Sequence, residues 1–458
     1  MANSELSARQ HERMMNTPMP RLIAAMALPT TLSQLVTVIY NTADTYFVSK
    51  VGTSATAAVG VVFSLMSIIQ AVGYGIGMGA NSIISRELGA RNDEKAHESG
   101  SSAMAAALLF GIAIMIAGLS AIEPIMRALG STETILPYAC DYAWYILISA
   151  PIMCSSFVLN CLLRAQGMAT LAMWGLCTGG ILNIVLDPLF IFGLNMGISG
   201  AALATSISQL VSFIILLSEF VRGRCIVKLR PRYVSRHIKD YLHIMRMGLP
   251  TICRQGLGSL SSALINTHGA AFGDAALAAL TIANKAYTLM RGVVVGIGQG
   301  FQPVAGYNYG AGSHRRVREA FRVTCAIGTV FCIGAAIAGW LGAHTIAGWF
   351  SEDPEVIELC VRTLYCLSIV TPLMAYSTYV NQIYQSLGFS APATFLASCR
   401  QGVFFVPLIL ALPPFMKFDG VMLAQPGADL MTFLIALPFQ IIFFKKVLNE
   451  DAKPAAVA

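Results

Sequence analysis

Twelve apolar runs follow one another along almost the whole chain. An α-helix needs roughly 20 apolar residues to cross about 30 Å of hydrocarbon, so each run is long enough to span a bilayer. Helices are favoured because lipid offers no partner for backbone polar groups, and the sequence lacks the short alternating segments of a membrane β-barrel. We therefore predict an all-α integral membrane protein with twelve transmembrane helices. The runs cover residues 22–48, 55–85, 97–121, 137–162, 170–193, 197–221, 242–270, 275–305, 319–349, 356–386, 392–414 and 419–444.

Charge is sparse and unevenly distributed between the predicted loops. Only 12% of the residues are charged, about half the fraction of a typical soluble domain. With the N-terminus in the cytoplasm, 22 of the 30 Lys and Arg residues lie in cytoplasmic segments and three in outer loops. This bias predicts a multi-pass protein of the inner (plasma) membrane with both termini cytoplasmic. The net charge of +7 is then an orientation signal and a contact for anionic lipid, and we expect no nucleic-acid partner.

The second half of the sequence repeats the first at an offset of 221 residues. Residues 28–30 and 249–251 both read LPT, and residues 75–77 and 296–298 both read GIG. Because each repeat has six helices, an even number, both repeats enter the membrane from the same side. A pseudo-two-fold axis along the membrane normal should therefore relate two six-helix lobes. Such lobes can rock about a central cavity. The expected parts are a cytoplasmic N-terminal tail (1–21), an N-lobe (22–221), a basic cytoplasmic connector (222–241), a C-lobe (242–446) and a cytoplasmic C-terminal tail (447–458).

Acidic residues are rare within the predicted spans, so each one is informative. Asp44, Asp187 and Thr205 each lie roughly 9–12 Å inside the outer end of their helix, at 1.5 Å per residue. We therefore expect the three side chains to meet at one depth. Other polar side chains share the helix faces of the two acids at a spacing of three or four residues. These are Tyr40, Asn41 and Asn183.

Proline adds a further oxygen ligand to this predicted site. Pro188 lacks an N–H group, so it leaves the carbonyl of Ile184 without its helical partner and is expected to kink the helix. Pro29 and Pro250, which occupy equivalent positions in the two repeats, are predicted kinks as well. Carbonyl, carboxylate, amide and hydroxyl oxygens together suit a hard cation such as Na⁺, and burial of a carboxylate also suits a proton. The Na⁺ ligands would be Asp44, Asn183, Asp187 and Thr205, with no other metal and no cofactor expected.

The residues alone leave simpler explanations for the two acids open. Asp44 can be an interfacial side chain that faces outer water, and Asp187 can be a solvated acid beside a proline kink. The repeat aligns these acids with Ile265 and Leu408. An acidic site, if it forms, therefore belongs to the first half alone.

The second half carries a different set of charges. Lys285 and Asp429 both lie near mid-membrane, where an unpaired charge is costly, so we predict that they form a pair across the C-lobe. The alternative is that Lys285 snorkels or faces a wet cavity. Three further cationic residues are expected nearer the cytoplasmic side in structural roles: Arg254, Arg291 and Arg400.

Four segments, taken together, carry a specific resemblance to a known family. They are residues 28–52 (LPTTLSQLVTVIYNTADTYFVSKVG), 181–193 (ILNIVLDPLFIFG), 197–205 (GISGAALAT) and 300–312 (GFQPVAGYNYGAG). With them the chain resembles, from about residue 21 to 446, the multidrug and toxic compound extrusion (MATE) family in its bacterial drug-efflux branch. The resemblance implies an outward-exporting antiporter of two six-helix lobes, driven by inward flow of protons or Na⁺. It also implies that four residues occupy the N-lobe cation and proton site of the family, namely Asp44, Asn183, Asp187 and Thr205.

We therefore expect a secondary active antiporter that exports organic, cationic compounds in exchange for protons or Na⁺. It is expected to act as a monomer, with small organic substrates and membrane lipid as its partners. The alternative is a flippase or exporter of lipid-linked or other metabolites with the same architecture, which needs a cationic cavity along both lobes. A membrane enzyme is disfavoured because the seven His residues show no metal-ligand spacing.

Overall fold

The computed structural model describes residues 2–447, and every regular element within that range is helical. The all-α prediction is therefore confirmed for this part of the chain. Residues 448–458, which make up nearly all of the predicted C-terminal tail and include Lys453, lie outside the described range.

The first half of the molecule, which we call the N-half, contains six long helical segments after a short N-terminal helix. Helix α6 lies at its centre and packs against α3, α4 and α8, while α2 packs against α7. The helices are α1 (Ala2–Asn16), α2 (Met19–Ser49), α3 (Thr53–Gly89), α4 (Asp93–Ser120), the short α5 (Ile122–Ala128), α6 (Leu136–Ala165), α7 (Ala169–Pro188), continued by a π-helical turn (Leu189–Gly193), and α8 (Gly197–Val221).

The second half, which we call the C-half, repeats this plan with α13 in the central position. Its elements are α9 (Ile238–Ala270), α10 (Asp274–Gly310), α11 (His314–Leu341), the short α12 (Ala343–Phe350), α13 (Pro354–Ser386), α14 (Ser390–Ser398), a π-helical turn (Cys399–Val403), α15 (Phe405–Ala411), α16 (Pro413–Met416) and α17 (Phe418–Lys446). Elements α14 to α16 together form one span. The described residues thus form twelve long segments in two sets of six, as predicted.

Ten of these twelve segments are both long and apolar enough to cross a membrane. The other two, α9 and α10, are 33 and 37 residues long but carry more polar side chains. The helices that contain the three predicted proline kinks differ in whether they continue past the proline. Helices α2 and α9 continue through Pro29 and Pro250, whereas α7 ends at Pro188 and passes into the π-helical turn.

The two halves meet through α2 against α10 and through α3 against α9. Contact is closest at the end of the molecule that carries α1 and the connector, which we call the terminal end. A Cβ atom at Gly300 would lie 2.6 Å from the Cα atom of Ala27, and one at Gly79 would overlap the carbonyl oxygen of Ile244. Glycine therefore permits this backbone approach. Residues 71–89 are almost entirely buried, whereas residues 53–70 of α3 include exposed positions, so α3 packs most closely at the terminal end.

The connector between the halves is shorter than predicted and packs onto the N-half. It runs over residues 222–237, because α9 already begins at Ile238. Its centre is buried, and the Val227 N–H donates to Gln166 Oε1 at 2.8 Å. The Ser235 N–H donates to Ser102 Oγ at 2.9 Å.

Much of the predicted N-terminal tail is the helix α1, which lies against both halves. Arg316 of α11 donates from Nη2 to the carbonyl oxygens of Met14 at 3.1 Å and Thr17 at 2.8 Å. The Nδ1 atom of His11 lies 3.0 Å from the hydroxyl of Tyr307 in α10. On the other side, Met14 meets Gly167 of the N-half.

Candidate functional site

The predicted polar site of the N-half forms where α7 and α8 meet. Asp187 is 0% exposed, and Asn183 Nδ2 donates to its Oδ1 atom at 3.0 Å. Asn183 Nδ2 also donates to Thr205 Oγ1 at 3.3 Å. The spacing of four residues thus places Asn183 and Asp187 on one face of α7, and that face points at α8.

The second acid, Asp44, is joined to this group through a tyrosine that the sequence reasoning missed. Asp44 is half-buried in α2, and the hydroxyl of Tyr142 in α6 donates to its Oδ2 atom at 3.4 Å. The Tyr142 hydroxyl also interacts with Thr205, and the carboxylates of Asp44 and Asp187 are close enough to interact electrostatically. A usable signal did exist, because Tyr142 follows Leu136 by six residues and so lies roughly 9 Å along its helix, the depth predicted for the acids.

Several buried oxygen atoms in this site have no hydrogen-bond donor within the described residues. They are Asp44 Oδ1, Asn183 Oδ1, Asp187 Oδ2 and Ser208 Oγ. Leaving a buried acceptor without a donor costs roughly 1–3 kcal/mol. A proton on a carboxylate, or a Na⁺ ion among the oxygens, would satisfy these acceptors.

Two adjoining cavities connect the site to the interior of the molecule. The larger is lined by Tyr40, Asn183 and Thr205 among others. Tyr40 is buried, and Asn41 is half-buried beside it. The smaller cavity, of about 250 Å³, shares part of this wall and reaches the boundary between the halves, where Arg164 donates to Gln299.

The predicted pair between Lys285 and Asp429 in the C-half is wrong. Lys285 is exposed, whereas Asp429 is buried with other partners. Its Oδ1 atom accepts from Arg400 Nε at 2.6 Å, and its Oδ2 atom accepts from the Tyr287 hydroxyl at 2.5 Å. Tyr287 follows Lys285 by two residues and therefore points about 200° away around α10. The equal depth of Lys285 and Asp429 in the membrane therefore did not mean that their side chains face each other.

Three arginines were predicted to have structural roles nearer the cytoplasmic side, and one of them, Arg400, forms an ion pair inside the C-half. Arg400 lies in the π-helical turn after α14 and pairs with Asp429, which is nine residues along α17 after Gly420. Its guanidinium also donates to the Tyr287 hydroxyl. Arg254 and Arg291 are close enough to interact electrostatically with Arg400. The interior of the C-half therefore contains a basic group, whereas the interior of the N-half contains an acidic one.

Comparison with known families identifies both halves of the chain. The sequence model of the MatE family matches residues 29–189 and again residues 250–410. The multidrug export protein MepA of Staphylococcus haemolyticus (strain JCSC1435) is 25% identical over 413 residues, which is 90% of this chain and 91% of that protein. MepA of Staphylococcus aureus (strain MSSA476) is 24% identical over 422 residues, covering 92% and 93% of the two chains.

Solved structures resemble the whole fold. One, described as the outward-facing conformation of a multidrug resistance MATE family transporter of the MOP superfamily, is 25% identical with a TM-score of 0.90 and covers 94% of this chain and 98% of its own. A MOP superfamily transporter from Pyrococcus furiosus Vc1 (DSM3638), described as having a binding pocket of reverse polarity that suggests a different function, is 27% identical. Its TM-score is 0.87, covering 95% of this chain and 98% of its own.

Proposed function

This chain belongs to the MatE family of multi-pass membrane transporters, and we propose that it is a secondary active antiporter that exports small organic compounds in exchange for protons or Na⁺. Family members are transporters rather than enzymes. The related proteins and structures described as multidrug exporters support drug efflux as its role. We propose organic cations among its substrates.

The observation that carries the proposal is the set of buried acceptors without donors in the N-half. Asp44 and Asp187 each present one such oxygen, and Asn183 presents a third. In this assignment the two acids bind the coupling ion. Their supporting ligands are Tyr40, Asn41, Asn183 and Thr205.

Ion binding can drive transport only if the ion binds the two arrangements of the halves with different affinity. Because contact between the halves is closest at the terminal end, we propose that a cleft between them opens toward the end opposite α1 and that ions reach the acids from that side. Binding a cation neutralises carboxylate charge, and this removes a penalty on closing the site away from water. The switch then exposes the organic compound on one side and the ion on the other.

The orientation of this cycle follows from the distribution of Lys and Arg. Their excess in the segments at the terminal end supports placing that end, with both termini, in the cytoplasm. The open cleft then faces outward across the plasma membrane. We further propose that the chain works as a monomer in contact with anionic lipid, without a cofactor beyond the coupling ion.

The test is efflux of a fluorescent organic cation from proteoliposomes, with pH and Na⁺ gradients imposed separately. One of the two gradients should drive efflux by the wild type. Asp187→Asn keeps the volume of the side chain but removes its charge, so gradient-driven efflux should fall to the background of empty liposomes.

Asp141→Asn is the matched control, because Asp141 is an exposed acid one residue before Tyr142 on α6. This variant should transport like the wild type. Retained gradient-driven efflux in Asp187→Asn and in Asp44→Asn would contradict the assignment of the ion site.

A further inference from the structure

A second buried polar group lies inside the C-half, and the proposed ion coupling does not use it. We call it the arginine cluster, and it draws on helices from across this half. Arg254 comes from α9, and Tyr287 and Arg291 come from α10. Arg400 comes from the π-helical turn after α14, and Asp429 comes from α17.

The single acid of the arginine cluster is already fully engaged. Asp429 accepts hydrogen bonds from Arg400 and Tyr287, and Gln425 Nε2 donates to its Oδ1 atom at 3.1 Å. Arg400 is held further by the Tyr287 hydroxyl and the Met374 sulfur. The carboxylate therefore balances the charge of Arg400 and leaves no second acid for the other cations of the cluster.

Two guanidinium groups of the cluster form no ion pair with an acid. Of the ion pairs found between residues 2 and 447, none involves Arg254 or Arg291. The Nη1 atom of Arg254 is buried and has no hydrogen-bond partner within that range. Neighbouring like charges repel one another and a buried donor atom without an acceptor is costly, so this arrangement suits an anion that approaches from outside the chain.

The internal repeat shows that the arginine cluster lies at positions equivalent to those that line a cavity in the N-half. The repeat maps each of its charged residues onto a residue that lines one of the two N-half cavities. At the offset of 221, Arg254, Arg291 and Arg400 correspond to Ser33, Gln70 and Gly179. In the last helix of each half, where Gly200 aligns with Gly420 and the offset is 220, Asp429 corresponds to Gln209. The same place in the six-helix unit is thus neutral and polar in one half and cationic in the other.

The free arginines are placed where a ligand can reach them. Arg254 and Arg291 are half-buried rather than enclosed. Arg291 precedes Gly292, whose position on α10 faces Val38 of the N-half. It therefore lies beside the boundary between the halves.

We propose that Arg254 and Arg291 bind an oxyanion group, a carboxylate, phosphate or sulfonate, carried by a transported organic compound. Guanidinium groups fit such groups because their planar set of N–H donors makes paired, charge-assisted hydrogen bonds. The inference rests on the proposed export function and deepens it. Substrates then include compounds that carry a negative group as well as purely cationic ones.

The test measures binding to the purified full-length chain with two dyes that differ in one group. Rhodamine 110 has a free carboxylate, and rhodamine 123 is its methyl ester, so both share the same cationic ring system. Fluorescence polarisation should show that the wild type binds rhodamine 110 about tenfold more tightly, since charge-assisted hydrogen bonds are lost in the ester. Arg254→Gln should bind the two dyes with equal affinity.

Control variants separate charge recognition from general damage to the fold. Arg362→Gln is the matched control, because Arg362 is an exposed arginine of the same half that pairs with Asp419 at 2.9 Å. It should retain the preference for the carboxylate. Arg254→Lys keeps the charge without the planar donors and should show a smaller preference. If Arg254→Gln does not fold, Arg291→Gln serves the same test.

A second readout distinguishes an organic anion from a free one. Inorganic phosphate is added to the wild type and to Arg254→Gln, and the melting temperature of each is measured. If phosphate raises the melting temperature of the wild type alone and the wild type shows no preference between the dyes, the result supports an oxyanion site filled by a free anion. Equal dye affinities in the wild type together with no effect of phosphate would overturn the proposal. Neither readout needs an ion gradient, so this result stays interpretable even if efflux by the wild type proves independent of pH and Na⁺ gradients.

Discussion

Tyr142 joins the two acids of the N-half, because its hydroxyl donates to Asp44 and interacts with Thr205 beside Asp187. Removing that hydroxyl in Tyr142→Phe should weaken binding of the coupling ion without abolishing it. One hydrogen bond contributes about 0.5–1.5 kcal/mol, so the ion concentration for half-maximal efflux should rise roughly threefold to tenfold. Efflux from proteoliposomes, titrated with the driving ion, measures this change.

The control for Tyr142→Phe lies one turn away on the same helix. Tyr138→Phe makes the same chemical change at an exposed position of α6 and should leave the half-maximal concentration unchanged. If both variants behave like the wild type, Tyr142 does not take part in ion binding.

The predictions about single residues used the depth of each residue along its helix. They succeeded or failed according to whether depth alone was sufficient to identify the residues that make contact. Depth along the helix and a spacing of four residues brought Asn183 and Asp187 together correctly, because both lie on one element. Depth failed for Lys285, since residues two apart on α10 face nearly opposite ways. The true partner of Asp429 was also hidden, because Arg400 lies in a π-helical turn whose extra residue rotates the chain about 100° relative to a regular helix.

At the scale of elements, helix α1 is the part of the molecule that the apolar pattern could not reveal. Its residues are polar, so a sequence reading assigns them to a tail, and only contacts with distant residues fix their position. Arg316 supplies the main polar contacts, donating to the carbonyl oxygens of Met14 and Thr17. Its Nε atom also donates to Asn308 Oδ1 at 2.9 Å, which orients the guanidinium.

Arg316→Ala should therefore release α1 from the C-half. Hydrogen bonds from a charged donor contribute roughly 1.5–3 kcal/mol each when buried and less at this partly exposed site, so opening of α1 should become about fivefold more frequent or more. Limited tryptic cleavage at Arg9 and Arg13 within α1, followed by mass spectrometry, measures the opening. Arg315→Ala changes an exposed neighbour and should leave the cleavage rate unchanged.

At the scale of the whole molecule, the sequence predicted the architecture well because two regularities determine it. Apolar runs set the number of spans, and the offset of 221 residues set the division into two halves. Neither regularity reports which helices of one half face the other. That information lies in the glycines of the interface, such as Gly79 and Gly300, whose role as points of close approach depends on the partner helix.

The close contact at the terminal end leads to a prediction about the conformational equilibrium of the whole transporter. A larger side chain at Gly79 cannot be accommodated while α3 and α9 remain in contact, because its Cβ atom would overlap the carbonyl oxygen of Ile244. Gly79→Leu should therefore hold the halves apart at the terminal end and block the cycle. Efflux should fall at least about fivefold, since overpacking of a tight contact costs roughly 1–3 kcal/mol. Amide hydrogen exchange should become faster in residues 79–89.

Gly60→Leu is the matched control on the same helix, because no atom lies within 4 Å of a Cβ built at Gly60. This variant adds the same side chain in open space and should retain both efflux and the exchange pattern of the wild type. Unchanged exchange in residues 79–89 of Gly79→Leu would mean that contact between α3 and α9 does not hold the terminal end closed. The cleft would then need another element to seal it, and α1, which already contacts both halves, is the element in position to do so.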